Sequence, residues 1–118
     1  MPEENDEASF LRNFREAVEK YYQAADLYDY DTERRWIGEL IRTARALDAL
    51  RPGGRNALLP LLEDANPGVQ VMAAIYLLNW VPEPALRVLR DIEEQMLDQV
   101  SLTATWGLAR YESGDIKI

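Results

Sequence analysis

Cysteine and histidine are both absent from this chain of 118 residues. Without cysteine there is no disulfide framework, no thiolate metal site and no thiol nucleophile. Without histidine the commonest general base and the commonest transition-metal ligand are gone, and with them every Ser-His or Cys-His catalytic arrangement. Also missing is any run of about 18 consecutive apolar residues, the length a membrane-spanning helix requires. The opening segment, MPEENDEASF, has acids where a secretion signal carries a basic region and an apolar run, so a cytoplasmic protein is expected. Gly53-Gly54 follows no strand pattern and has no lysine after it, which excludes a phosphate loop.

What is present is apolar and acidic. The apolar fraction of 47% includes eleven aromatic residues, enough for one core, so a single domain over residues 1–118 is expected, with residues 1–7 as a flexible acidic tail. Of the net charge of −8, residues 1–33 hold −7, ten acids against Arg12, Arg15 and Lys20. Such a field repels a phosphate backbone or an anionic membrane and attracts a basic protein.

Helical periodicity runs through nearly the whole chain. From Ser9 to about Tyr28, Phe10, Phe14, Val18, Tyr21, Tyr22 and Ala25 recur at steps of three and four, with Asp6 or Ser9 as the cap. Asp31 is expected to cap a second helix that turns Trp36, Ile37, Leu40, Ile41, Ala44 and Leu47 inward and stops at Arg51-Pro52-Gly53-Gly54. A short third helix over about Arg55 to Glu63 contains Pro60, which should bend it. Asn66-Pro67 is a strong start signal for a fourth, running to about Trp80 and apolar on most sides, which places it at the centre of the domain. Val81-Pro82-Glu83-Pro84 opens a fifth, with Ala85, Leu86, Val88, Leu89 and Ile92 apolar. The last begins near Asp98, carries Val100, Leu102, Ala104, Trp106, Leu108 and Ala109 on its apolar positions, and ends at Gly114. Met96 to Gln99 fits loop or helix equally well.

Shifting the chain by 31 residues sets Leu58 on Leu89, Leu61 on Ile92, Val69 on Val100, Val71 on Leu102, Ala73 on Ala104 and Leu77 on Leu108. A looser shift of 33 sets Asp31 on Asp64, Trp36 on Val69, Leu40 on Ala73 and Ala44 on Leu77. Three helix pairs follow, none able to bury its apolar face without the next. Leu59-Pro60-Leu61-Leu62, Asp64, Pro67, Val69, Ala73 and Leu77 stand in the order of a HEAT repeat, which this stretch resembles over about 25 residues. From the fourth helix through Pro82-Glu83-Pro84-Ala85 to Trp106 the chain also resembles a family of small bacterial HEAT-like proteins of unknown function. The resemblance implies an all-α fold of about six helices, three stacked antiparallel pairs forming a short HEAT-like α-solenoid, and it implies no reaction.

Candidate sites are few. Asp26, Asp29, Asp31 and Glu33 crowd one inter-helix turn, but the spacing and glycine of a calcium-binding EF-hand loop are missing, and helix capping accounts for acids there. Arg34, Arg35, Arg42 and Arg45 cluster on the second helix, and HEAT-like DNA glycosylases hold DNA on basic faces. Here Asp31, Glu39 and Asp48 stand three or four residues away, so local ion pairs are the expectation. Glu83, Asp91, Glu93 and Glu94 have no fixed separation across a cleft and read as solvated faces. Trp36, Trp80 and Trp106 fall on apolar stripes and read as core, with Trp80 at a helix end where an indole can serve as an interface anchor.

No catalytic, metal or cofactor residue is assigned, and neither nucleic acid nor membrane is expected as a partner. The favoured reading is a non-enzymatic module that binds another, basic protein, in its narrower form an immunity protein or antitoxin. Partner contacts are expected from Asp26, Asp29, Asp31, Glu33, Arg35, Arg42 and Trp80. One alternative is an enzyme or enzyme accessory protein without histidine or cysteine, which would need a deep polar pocket holding two buried acids. Another is a homo-oligomeric structural protein, monomer or homodimer in solution, pairing through the C-terminal helix.

Overall fold

The computed structural model describes residues 7–118, and among these there are five α-helices and one 3-10 helix and no strand. No helix among the described residues is long and apolar enough to cross a membrane. By its internal contacts the chain divides into two compact units, Met1–Ala57 and Leu58–Ile118.

In the first unit α1 (Glu7–Asp26) packs along α2 (Tyr30–Leu50). Phe14, Ala17, Val18, Ala24 and Ala25 are the buried residues of α1, and Leu40, Thr43, Ala44 and Leu47 those of α2. Their steps of three and four give each helix one buried stripe, while Phe10, Tyr21, Tyr22, Trp36, Ile37 and Ile41 lie half-buried along its margins. Glu7, expected in a flexible tail, is the first residue of α1 and pairs with Arg51 at 2.6 Å. The remainder of that tail, including Asp6 as a cap, lies outside the described residues. Ser9 is inside α1, so it does not cap it.

The end of α2 is built with little room. Gly53 takes a left-handed conformation (φ 74°), and a Cβ on Gly54 would stand 1.9 Å from the Leu47 carbonyl oxygen. Only a residue without a side chain lets the backbone lie this close to the last turns of the helix. Arg55 is then fully buried, its Nε and Nη2 donating to the two carboxylate oxygens of Asp48 at 3.0 and 2.7 Å. This bidentate pairing is the geometry in which a guanidinium can be taken out of water.

The stretch Gly54–Glu63, expected as a bent α-helix, is a 3-10 helix. Arg55, Ala57, Leu58 and Leu61 are buried along it, while Leu59 and Pro60 are exposed. Side chains at i and i+3 eclipse in a 3-10 helix, so this winding sets Arg55, Leu58 and Leu61 in one row.

In the second unit α3 (Pro67–Leu77) packs against both α4 (Pro82–Gln95) and α5 (Asp98–Glu112), which also pack on each other. Asn66 caps α3, its Oδ1 accepting from Gly68 N at 2.9 Å, and Asp64 accepts from Asn66 N at 2.9 Å. Every residue of α3 except Pro67 and Gln70 is buried. Between α4 and α5 the chain reverses at Met96, which is left-handed and exposed, and the buried Ser101 hydroxyl ties the two helices by accepting from Leu97 N (2.6 Å) and donating to Ile92 O (2.7 Å).

The stripe of α5 differs from expectation. Ser101, Ala104 and Gly107 are buried, whereas Leu102 is 64% and Trp106 49% exposed. Size is the cause. A Cβ on Gly107 would stand 2.9 Å from Ile75 Cγ1 and 3.6 Å from Leu89 Cδ1, so α5 lies against α3 and α4 too closely for large side chains.

Two glycines should respond to alanine with opposite sign, measured by chemical denaturation. Gly54→Ala pushes backbone against backbone and is expected to destabilise by about 3 kcal/mol. Gly38, mid-way along α2, has nothing within 4 Å of the place an alanine methyl would take. Alanine there gains helix propensity, about 1 kcal/mol of stabilisation.

Candidate functional site

The acidic residues singled out in the sequence are distributed along the turn that joins α1 to α2. Asp26 is the last residue of α1, Asp29 precedes α2, and Asp31 and Glu33 lie in the first turn of α2. The cap is Asp29, two residues earlier than expected. Its Oδ1 accepts from Thr32 N at 3.2 Å, and its Oδ2 accepts from the Thr32 hydroxyl at 2.6 Å. The Thr32 hydroxyl first, and the Thr32 N–H second, hold the Asp29 carboxyl below the ordinary carboxylate range. Asp31 instead pairs with Arg34 at 2.7 Å, in solvent, where such a pair contributes little.

The same turn has an apolar content that helical periodicity does not single out. Leu27, Tyr28 and Tyr30 are 77%, 69% and 64% exposed. In the sequence they only interrupt the pattern between two helices, and the signal that marks them is three large apolar residues in a connection where small polar ones are usual. The turn is not loose. Leu27 N, Tyr28 N and Asp29 N donate to Ala24 O, Ala25 O and Ala24 O at 3.0 to 3.1 Å, and Tyr28 sits in the left-handed region at φ 57°. A glycine would occupy that conformation without strain, and a tyrosine is held there by its neighbours.

Glu33 turns back toward α1, where burial first and the negative field of Glu33 second push the Tyr21 phenol above its ordinary value. Arg35 lies over the Trp36 ring at 5.5 Å, and Arg42 pairs with Glu39. Both arginines are thus engaged on α2 itself. Trp80, 39% exposed, lies in the second unit between α3 and α4. Of the three tryptophans expected in the core none is fully buried: Trp36 is half-buried, and Trp80 and Trp106 are exposed. Trp106 is exposed with the Arg110 guanidinium 5.6 Å from its ring. An open depression of about 400 Å³ on α1 is lined by Arg12, Asn13, Arg15, Glu16 and Glu19. No group of three or more acidic side chains converges as a metal site among the described residues.

Asp29 contributes stability above the unfolded carboxylate pKa, and that contribution is lost as pH falls through its lower folded value. In an NMR titration the Asp29 carboxyl should therefore titrate below an ordinary aspartate, and Thr32→Val should move it upward. Asp29→Ala should lower the melting temperature more than Asp31→Ala. The reverse order would place the cap at Asp31.

The sequence matches no protein-family model and no curated protein. The fold is similar to the crystal structure of the protein RPA1889 from Rhodopseudomonas palustris CGA009, with a TM-score of 0.84 and 22% identity over 100% of this chain and 99% of that chain. At that identity the likeness concerns the fold alone.

Proposed function

We propose that this chain is a non-enzymatic protein-binding module, a short cytoplasmic HEAT-like solenoid of three stacked helix pairs whose working surface is the α1–α2 turn. The observation that carries the reading is the exposure of Leu27, Tyr28 and Tyr30 on a hydrogen-bonded, capped turn. Large apolar side chains on a rigid backbone lose little entropy on docking, and tyrosine is among the residues that dominate interface energetics. The HEAT-like element draws support from Val69, Ala73 and Leu77, all buried at the repeat's step of four behind the Asn66–Pro67 start. An immunity protein or antitoxin is the narrower form, since covering one partner requires a surface and no chemistry.

Affinity purification from the source cell should recover one stoichiometric protein with the wild-type chain. Leu27→Ser/Tyr28→Ser/Tyr30→Ser, retaining its helical circular dichroism, should lose it. No partner, or the same partner with both chains, overturns the reading.

A second reading, self-association through α5, is favoured by the exposed Leu102 and Trp106, one turn apart on that helix. Light scattering would then show a dimer that Leu102→Asp dissociates. A monomer at high concentration refutes it.

A further inference from the structure

The α1–α2 turn carries a charge arrangement that says which kind of protein segment would dock there. Asp29, Asp31 and Glu33 are accounted for within the molecule, because acids at the start of α2 offset the positive end of its dipole. Asp26 is not. It stands in the last turn of α1, at the negative end of that helix, and this turn contains no basic residue. Among the described residues no cation pairs with it. A carboxylate there opposes the dipole and lowers the stability of its own helix. The basic residues nearest in the chain beyond the turn are engaged elsewhere, Arg34 with Asp31 and Arg35 on Trp36. Directly beside this negative spot, Leu27 and Tyr28 present apolar surface, and Tyr30 adds more across the turn.

We propose that the turn docks a cationic amphipathic segment of a partner protein, its lysine or arginine meeting Asp26 and the end of α1 while its apolar side chain seats against Leu27, Tyr28 and Tyr30. This rests on the protein-binding reading above and gives the partner its chemistry. The carboxylate of Asp26, at the negative end of the α1 dipole, is the cation-accepting spot. Residues 26–33 hold four acids and no base, and the attraction of that local charge reaches over about a Debye length and speeds encounter. The tyrosine faces also accept a guanidinium by cation–π contact.

The probes are two synthetic helical peptides, one with lysine on one face and leucine on the other, and the same peptide with glutamate for lysine. By isothermal titration at low and moderate salt, the lysine peptide should bind the full chain and the glutamate peptide should not. Affinity should fall at least tenfold in Leu27→Ser/Tyr28→Ser/Tyr30→Ser, which keeps every charge. It should fall similarly in Asp26→Lys, although this variant removes an unfavourable dipole contact and should melt higher than wild type. That opposition between stability and binding is a readout that a structural role for Asp26 would not give. Equal binding of both peptides, no binding of the lysine peptide, or undiminished binding by the triple-serine variant overturns the proposal. If the triple variant still loses the cellular partner while the lysine peptide fails, the protein-binding reading stands and the cationic partner is refuted. A turn that pairs with a second copy of the chain would appear as a dimer in sedimentation and would likewise refute it.

Discussion

Because α3 is apolar on nearly every side, it has to be covered on nearly every side, and the second unit is organised by that requirement. Two helices lie against it, α4 and α5, and both must also touch each other. Three helices in mutual contact leave narrow gaps, which α5 meets by offering its smallest residues. Gly107 lets its backbone rest on Ile75 and Leu89, and Ala104 and Ser101 continue the contact toward the start of the helix. Ser101 can be buried because its hydroxyl is used in both directions, by Leu97 N and Ile92 O. The larger residues of α5 are then left outside, so the exposure of Leu102 and Trp106 is a consequence of how α3 is covered.

The first unit depends on a polar device. Among the described residues Arg55 is the largest side chain fully removed from solvent, and both carboxylate oxygens of Asp48 receive its guanidinium, which offsets the cost of burying that charge. A lysine would offer a single point of charge in place of the planar fork. Gly54 makes the approach possible and Arg55 makes it specific, so α2 ends in one defined way. The two connections of this unit differ in kind: the one after α2 buries its long side chain, and the one between α1 and α2 leaves its long side chains in solvent.

That contrast bears on function. A connection that served only to reverse the chain would be expected to use small residues with left-handed tolerance, as Gly53 does after α2. Tyr28 occupies the same backbone region at the other connection, flanked by Leu27 and Tyr30, with Asp26 set against its own helix dipole. Each of these choices lowers local stability, and each adds to a surface that is apolar at its centre and negative at its edge. Residues that work against the fold in this way are where binding is most reasonably sought.

Helix number, the Asn66 cap, the Phe14, Val18 and Ala25 positions of the α1 stripe and the all-round burial of α3 were legible in the sequence, because each rests on residues within a few positions of one another. Periodicity and capping are local, and local physics decides them. The cap at Asp29 in place of Asp31 was a choice between two local candidates, whereas the 3-10 winding of Gly54–Glu63 and the outward face of α5 were not legible in the same way. For α5 the sequence offered two stripes, one large and apolar, one small, and only the distance to Ile75 and Leu89 selects between them. The acidic turn shows the same division. Its carboxylates are a sequence fact, whereas the exposure of Leu27, Tyr28 and Tyr30 beside them is set by how α1 and α2 pack, since apolar residues at a helix end are core or surface according to what the rest of the chain brings against them.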